Sequence, residues 1–124
     1  LANLYVLNKM NTPEITLKDT KWKLVEIMGR KQTNSEAFIS FATEDNRVFG
    51  YNSCNNFNGS YELKDGNRIT LSKMAMTMRA CMDDNVETQF MDVLQNIDNY
   101  SFHGNTLTLN KARMAPLAVF EAVE

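Results

Sequence analysis

The chain has 124 residues, 44% of them hydrophobic, which is the size of one compact domain, since two separate cores would each be unusually small. Thirteen Lys and Arg against fifteen Asp and Glu give a formal charge of −2, so there is no basic field to neutralise phosphates, and nucleic acid is not an expected partner. Charged residues at 23% exclude a disordered polyelectrolyte, and the longest apolar run, residues 114–120 with Pro116 inside it, falls far short of the roughly 18 residues of a membrane span.

The chain opens on Leu1 without an initiator Met, which fits a removed signal or lipid-anchor segment upstream. Residues 1–19 carry Asn3, Asn8, Asn11, Thr12 and Pro13 among scattered apolar positions. They read as a leader or an edge strand, with residues 20–124 as the folded domain. From Thr20 the pattern changes. Trp22, Leu24 and Glu26 alternate with Lys23, Val25 and Ile27 up to Gly29, the pattern of a strand that sends the two sets to opposite faces.

Residues 37–41 and 47–51 are β-favouring runs around the turn-forming Thr43-Glu44-Asp45-Asn46, and they predict a hairpin. Residues 61–63 and 69–71 repeat the arrangement around Asp65-Gly66, and Tyr100 and Phe102 face Leu107 and Leu109 across His103-Gly104-Asn105. Alternation over residues 117–122, after Pro116, gives a last strand. Only Val86, Phe90, Val93, Leu94 and Ile97 show a helical period, a single apolar stripe that predicts a helix over about residues 85–98. Asp84 and Glu87 form a capping-box-like pair at its start, with Asp83 complementing the positive end of the dipole. The expected fold class is β-rich α+β: an antiparallel, strongly curled, barrel-like sheet with one amphipathic helix over an opening or a face.

The most distinctive stretch is residues 50–61, Gly-Tyr-Asn-Ser-Cys-Asn-Asn-Phe-Asn-Gly-Ser-Tyr. Its asparagines and glycines suit tight turns, and a structural loop is the default reading. The functional reading is a binding surface in which Asn52, Asn55, Asn56, Asn58, Tyr51 and Tyr61 contact sugar or peptide groups. Met74, Met76, Met78 and Met82 alternate with Ala75, Thr77, Arg79 and Cys81. On a strand that places four thioethers on one face, either as core or as a soft-metal site for Cu(I).

His103 reads as an exposed turn residue with no second metal ligand at a useful spacing. The adjacent pairs Asp83-Asp84 and Glu44-Asp45 point in different directions and do not form facing carboxylates, while Asp19, Asp65 and Asp92 read as solvated surface. Nucleotide-binding, nucleophile-elbow and zincin motifs are absent from the sequence. An enzyme is therefore not expected; it would need an unrecognised site built from such groups as Tyr51, Asn55, Arg79 and Glu87. No cofactor is expected either.

The stretch from Gly50 to Tyr61 resembles the G-x-x-x-C-N-x-F-x-G-x-Y signature of the META domain, the family of the heat-shock protein HslJ. Thr77-Met78-Arg79-Ala80-Cys81 is similar to that family's T-x-x-A-C segment, and the opening Trp22-Lys23-Leu24-Val25-Glu26-Ile27 to its W-x-L-x-x-I strand. Glu87, Phe90 and Leu94 match its helix pattern E-x-x-F-x-x-x-L, and Leu117-Ala118-Val119-Phe120 its closing L-x-F strand. The five ordered patterns cover about residues 20–122.

The resemblance implies a β-rich barrel with one helix in bacterial envelope proteins, periplasmic, secreted or lipid-anchored in the outer membrane, that are linked to stress and have no established enzymatic activity. An envelope setting favours a disulfide between Cys54 and Cys81 over two buried thiols. Closing a loop of about 28 residues is worth ~3.6 kcal/mol in the chain-entropy model. The expected function is a non-enzymatic module that binds or protects an envelope protein partner under stress, as a monomer. The alternative is a barrel that carries a small ligand or soft metal. A filled interior points to the first and a hollow one to the second.

Overall fold

A computed structural model describes residues 16–33, 35–81, 86–113 and 115–123. Its strands are β1 (Lys21–Ile27), β2 (Arg30–Lys31), β3 (Phe38–Phe41), β4 (Arg47–Tyr51), β5 (Asn56–Lys64), β6 (Arg68–Leu71), β7 (Ala75–Met76), β8 (Asn99–His103), β9 (Thr106–Asn110) and β10 (Ala118–Val123). A 3-10 turn, Glu44–Asn46, joins β3 to β4. The α-helix among the described residues is α1, Glu87–Asn96.

Eight antiparallel strands close into a barrel in the order β1-β3-β4-β5-β6-β8-β9-β10, and β10 returns to β1. The three predicted hairpins are β3–β4, β5–β6 and β8–β9. Short β2 adds to β1, and β7 adds to β5. The β1–β10 seam runs from Lys21 opposite Val123 to Ile27 opposite Ala118. The β6–β8 seam is much shorter: Arg68 faces Asn99, flanked by backbone bonds from Ile69 N–H to Asp98 O (3.1 Å) and from Tyr100 N–H to Asn67 O (3.0 Å).

A bulge in β1 corrects the simple alternation. Leu24 pairs with Phe120 and Glu26 with Val119, so Val25 is the extra residue. A bulge resets the face of everything after it, and Ile27 accordingly joins Trp22 and Leu24 in the core instead of facing away from them.

Small eight-stranded barrels leave an interior that side chains can fill, and this one is filled. Trp22, Leu24, Ile39, Phe41, Val48, Phe57, Ile69, Leu107, Leu109 and Phe120 are all buried in one continuous cluster. Rings interlock edge to face, Phe41 with Tyr61 at 5.3 Å between centroids and Phe57 with Phe90 at 5.6 Å. Helix α1 supplies Phe90, Val93 and Leu94, followed by Ile97, as the predicted stripe requires. Phe90 also touches Phe120, at 5.9 Å, which ties the helix to the closing strand.

The helix is shorter than the predicted 85–98, because Ile97 is already extended (φ −68°, ψ 153°). Asp83 and Asp84 lie outside the described residues, and Val86 at the N-cap makes no side-chain capping bond.

Residues 16–19, grouped by sequence with the leader, pack onto the barrel. Leu17 is buried, and its carbonyl accepts a hydrogen bond from Trp22 Nε1 at 3.0 Å. Lys18 bridges to Phe41. Asp19 is exposed yet engaged, accepting from Thr43 N–H (3.1 Å) and Thr43 Oγ1 (2.7 Å). Residues 1–15, the remainder of that segment, lie outside the described residues.

Candidate functional site

The stretch from Gly50 to Tyr61 is only in part a loop. Its second half, Asn56 onward, belongs to β5, and the turn proper is Asn52-Ser53-Cys54-Asn55. Asn52 builds that turn. Its backbone N–H donates to Asn55 O (3.0 Å), and its Oδ1 accepts from the backbone N–H groups of Cys54 (3.1 Å) and Asn55 (2.7 Å). Ser53 sits at φ +78°. Gly50 precedes the turn because β3 and β5 crowd it: a Cβ there would fall on Phe38 O and lie 2.7 Å from Phe57 Cζ.

Asn55 is the hub. A side-chain amide has two N–H donors and a carbonyl with two lone pairs, and Asn55 is 3% exposed, so every one of those positions needs a partner. Nδ2 donates to Arg79 O (3.0 Å) and to Glu87 Oε2 (2.6 Å), while Oδ1 accepts from Arg79 N–H (2.7 Å) and Thr77 Oγ1 (2.8 Å). One buried amide thus joins the turn, the irregular segment after β7 and the first turn of α1. The Cys54–Cys81 disulfide, with 5.9 Å between Cα atoms, closes the same junction covalently.

The candidate binding surface therefore divides. Asn52, Asn55 and Tyr61 are buried and committed to internal bonds, with Tyr61 Oη donating to Ala42 O at 2.8 Å. Burial pushes the Tyr61 phenol above its ordinary value. They hold the fold and are not a contact surface. Asn56 and Asn58 are exposed and Tyr51 half-exposed on the outer wall, where Tyr51 pairs with Asn56 and Phe49 with Asn58.

Across the next strands Phe38 faces Tyr51, Lys23 faces Phe38 and Lys21 faces Ser40. The sequence pattern places Phe49, Phe38, Lys21 and Lys23 on strands but does not single them out as a surface. The available signal was Phe49, an aromatic residue out of phase with its inward neighbours Val48 and Gly50.

The methionines do not form one stripe. β7 is only Ala75–Met76, too short to carry the alternation. Met74 packs against the core, Met76 accepts from Asn52 Nδ2 at 3.3 Å, and Met78 is 89% exposed. Met82 lies outside the described residues. The core-stripe reading thus fails for Met76 and Met78, because the backbone leaves the sheet after two residues.

Of the residues named for an unrecognised enzyme site, Asn55 bonds both the Glu87 carboxylate and the Arg79 backbone, as a packing junction. Tyr51 stands apart on the wall. His103 is exposed at the end of β8. Among the described residues no three His, Cys, Asp or Glu side chains converge as a metal site would require. Two carboxyls are held below the usual aspartate range: Asp19 by the Thr43 hydroxyl and N–H, and Asp98 by the Ala112 N–H and the Asn99 amide. Both pin loops of the barrel.

The fold is similar to that of an NMR structure of a protein from Burkholderia xenovorans, with a TM-score of 0.66 and 22% identity over 86% of this chain and 83% of that one. No curated protein matches the sequence. The family model of the META domain matches residues 15–124, beginning where Leu17 and Asp19 dock onto the barrel. The disulfide, the Asn55 hub and the crowding at Gly50 give the signature residues Gly50, Cys54, Asn55 and Cys81 physical roles, and the chain belongs to the META domain family.

Proposed function

We propose that this META domain protein is a non-enzymatic, stress-related binding module of the bacterial cell envelope that meets its partner on the outer wall of the barrel. The observation that carries this reading is the filled interior: Trp22, Phe41, Phe57, Phe90 and Phe120 are each no more than 1% exposed in the core. That packing favours the wall over the lumen as the place of contact, and it counts against the small-ligand carrier. A disulfide is compatible with an oxidising compartment. No helix among the described residues is long and apolar enough to cross a membrane.

Photo-cross-linking tests the reading. Benzoylphenylalanine replacing Phe49 or Tyr51, in cells of a species that carries the protein, should capture a discrete envelope macromolecule, whereas the same group replacing Asp92 on α1 should not. Equal capture from all three positions, or from none, contradicts it.

A further inference from the structure

We infer that the outer wall formed by β1, β3, β4 and β5 binds an anionic polysaccharide, a linear polymer of acidic sugars. This rests on the surface-binding reading above and names its ligand class.

The first observation is charge. The side chains exposed on this part of the wall include Lys21, Lys23 and Arg47, with no acid among the paired positions from Lys21 across to Asn58. This is a cationic field on a chain whose net charge is −2. The acids nearby are Glu36, which lines the same cavity as the two lysines, Glu121 opposite Lys23, Glu44 and Asp45 before Arg47, and Glu62 further along β5. None of the three cations is in an ion pair among the described residues. Lys21 Nζ instead lies 4.4 Å from the Phe38 ring centroid. Lys21, Lys23, Phe38 and Tyr51 line a shallow cavity of about 380 Å³ together with one acid, Glu36, and two cations against a single carboxylate leave positive charge for a ligand's carboxylate or sulfate.

The second observation is the pairing of rings with amides. Tyr51 faces Asn56 and Phe49 faces Asn58, so the same ring-and-amide unit recurs about 7 Å along the strands. Phe49 is 40% exposed, and neither wall amide side chain makes a hydrogen bond among the described residues. The C–H face of a pyranose is weakly positive and matches the negative face of an aromatic ring. Its hydroxyls match an amide that both donates and accepts.

The third observation concerns the backbone. β3 lies between β1 and β4, and β4 between β3 and β5. Their N–H and C=O groups are engaged in the sheet on both sides, so an extended peptide finds no edge here to add to. The groups left to a ligand are ring faces, amides, a phenol and cations, the set that recognises an acidic sugar.

The test is NMR titration of the labelled full chain with oligogalacturonate, a neutral malto-oligosaccharide, polyglutamate and phosphatidylglycerol vesicles. Oligogalacturonate should shift amides of β1, β3, β4 and β5 with a Kd of about 1 mM or tighter. Y51A with F49A, and separately K21Q with K23Q, should each weaken binding about tenfold or more while leaving the folded spectrum intact. Absence of oligogalacturonate binding overturns the inference, as does equal binding of polyglutamate, the neutral sugar or vesicles. If binding fails while cross-links from Phe49 persist, only the ligand class is wrong. If both fail, the wall itself is wrong.

Discussion

Replacing Asn55 probes the junction on which the family signature converges. Asn55→Ala removes the side-chain hydrogen bonds to the Arg79 N–H and carbonyl, the Thr77 hydroxyl and the Glu87 carboxylate, with a longer one to Cys54 Sγ. Those to exposed Arg79 and Thr77 are partly replaced by water. The bond to a carboxylate and the loss of a fully buried anchor bring the total to about 2–4 kcal/mol, since each net bond is worth about 0.5–1.5 kcal/mol and charged ones more. At about 4 °C per kcal/mol for a domain of this size, calorimetry should find Tm lowered by about 8–16 °C. Asn55→Asp separates the donor from the acceptor role, because it keeps the oxygen for Arg79 N–H but sets a second carboxylate against Glu87. That pair binds a proton more tightly folded than unfolded, so its stability falls as pH rises and returns as pH is lowered from about 7 to 5. Asn55→Ala should lack this recovery. A loss under about 1 kcal/mol for Asn55→Ala, or parallel pH profiles for the two variants, refutes the hub assignment.

Three further outcomes follow. Untreated protein should show no thiol towards a labelling reagent, and C54A with C81A should lower unfolding free energy by about 3.6 kcal/mol, the chain-entropy value for its loop; two labelled cysteines would end the disulfide assignment. Asp19 and Asp98 are held below the free aspartate value, so the unfolded chain binds more protons and their stabilisation, complete above about pH 5, is lost as pH falls through their folded pKa values. D19N with D98N should therefore flatten the acid limb of a urea-stability profile, and an unchanged limb would contradict the two loop pins. Gly50→Ala pushes a methyl into the Phe38 carbonyl and Phe57 ring and should cost about 3 kcal/mol; a denaturation midpoint within error of the parent would show that β3 and β5 do not crowd it.

The sequence disclosed local periodicity well. The stripe from Phe90 to Ile97 and the three hairpins needed only residues a few positions apart, whose spacing alone states the face they present. It disclosed less wherever a distant partner decides. Ile27 lands in the core because a bulge opposite Phe120 shifts the face, and nothing within β1 announces that shift. The methionine alternation looked like a strand, but the chain after Met76 turns to meet Asn55, so Met78 faces water. Asn52 and Asn55 carry the same letters as Asn56 and Asn58, yet the first two are sealed by Met76 to Arg79 and by the start of α1, which lie elsewhere in the chain. The wall of Lys21, Lys23, Phe38 and Phe49 becomes a surface only once β1, β3 and β4 are in register.

The account depends most on the barrel being filled by its own side chains, which leaves binding to its outside. Trp22 is the single tryptophan of the chain, is wholly buried, and meets Phe102 edge to face at 5.6 Å. It is a reporter placed inside the barrel. Titrating the protein with an apolar naphthylamine probe while following Trp22 emission should give no saturable energy transfer, and acrylamide should barely quench that emission. Saturable transfer from Trp22, reversed by a competing fatty acid, would reveal an internal ligand cavity and contradict the account.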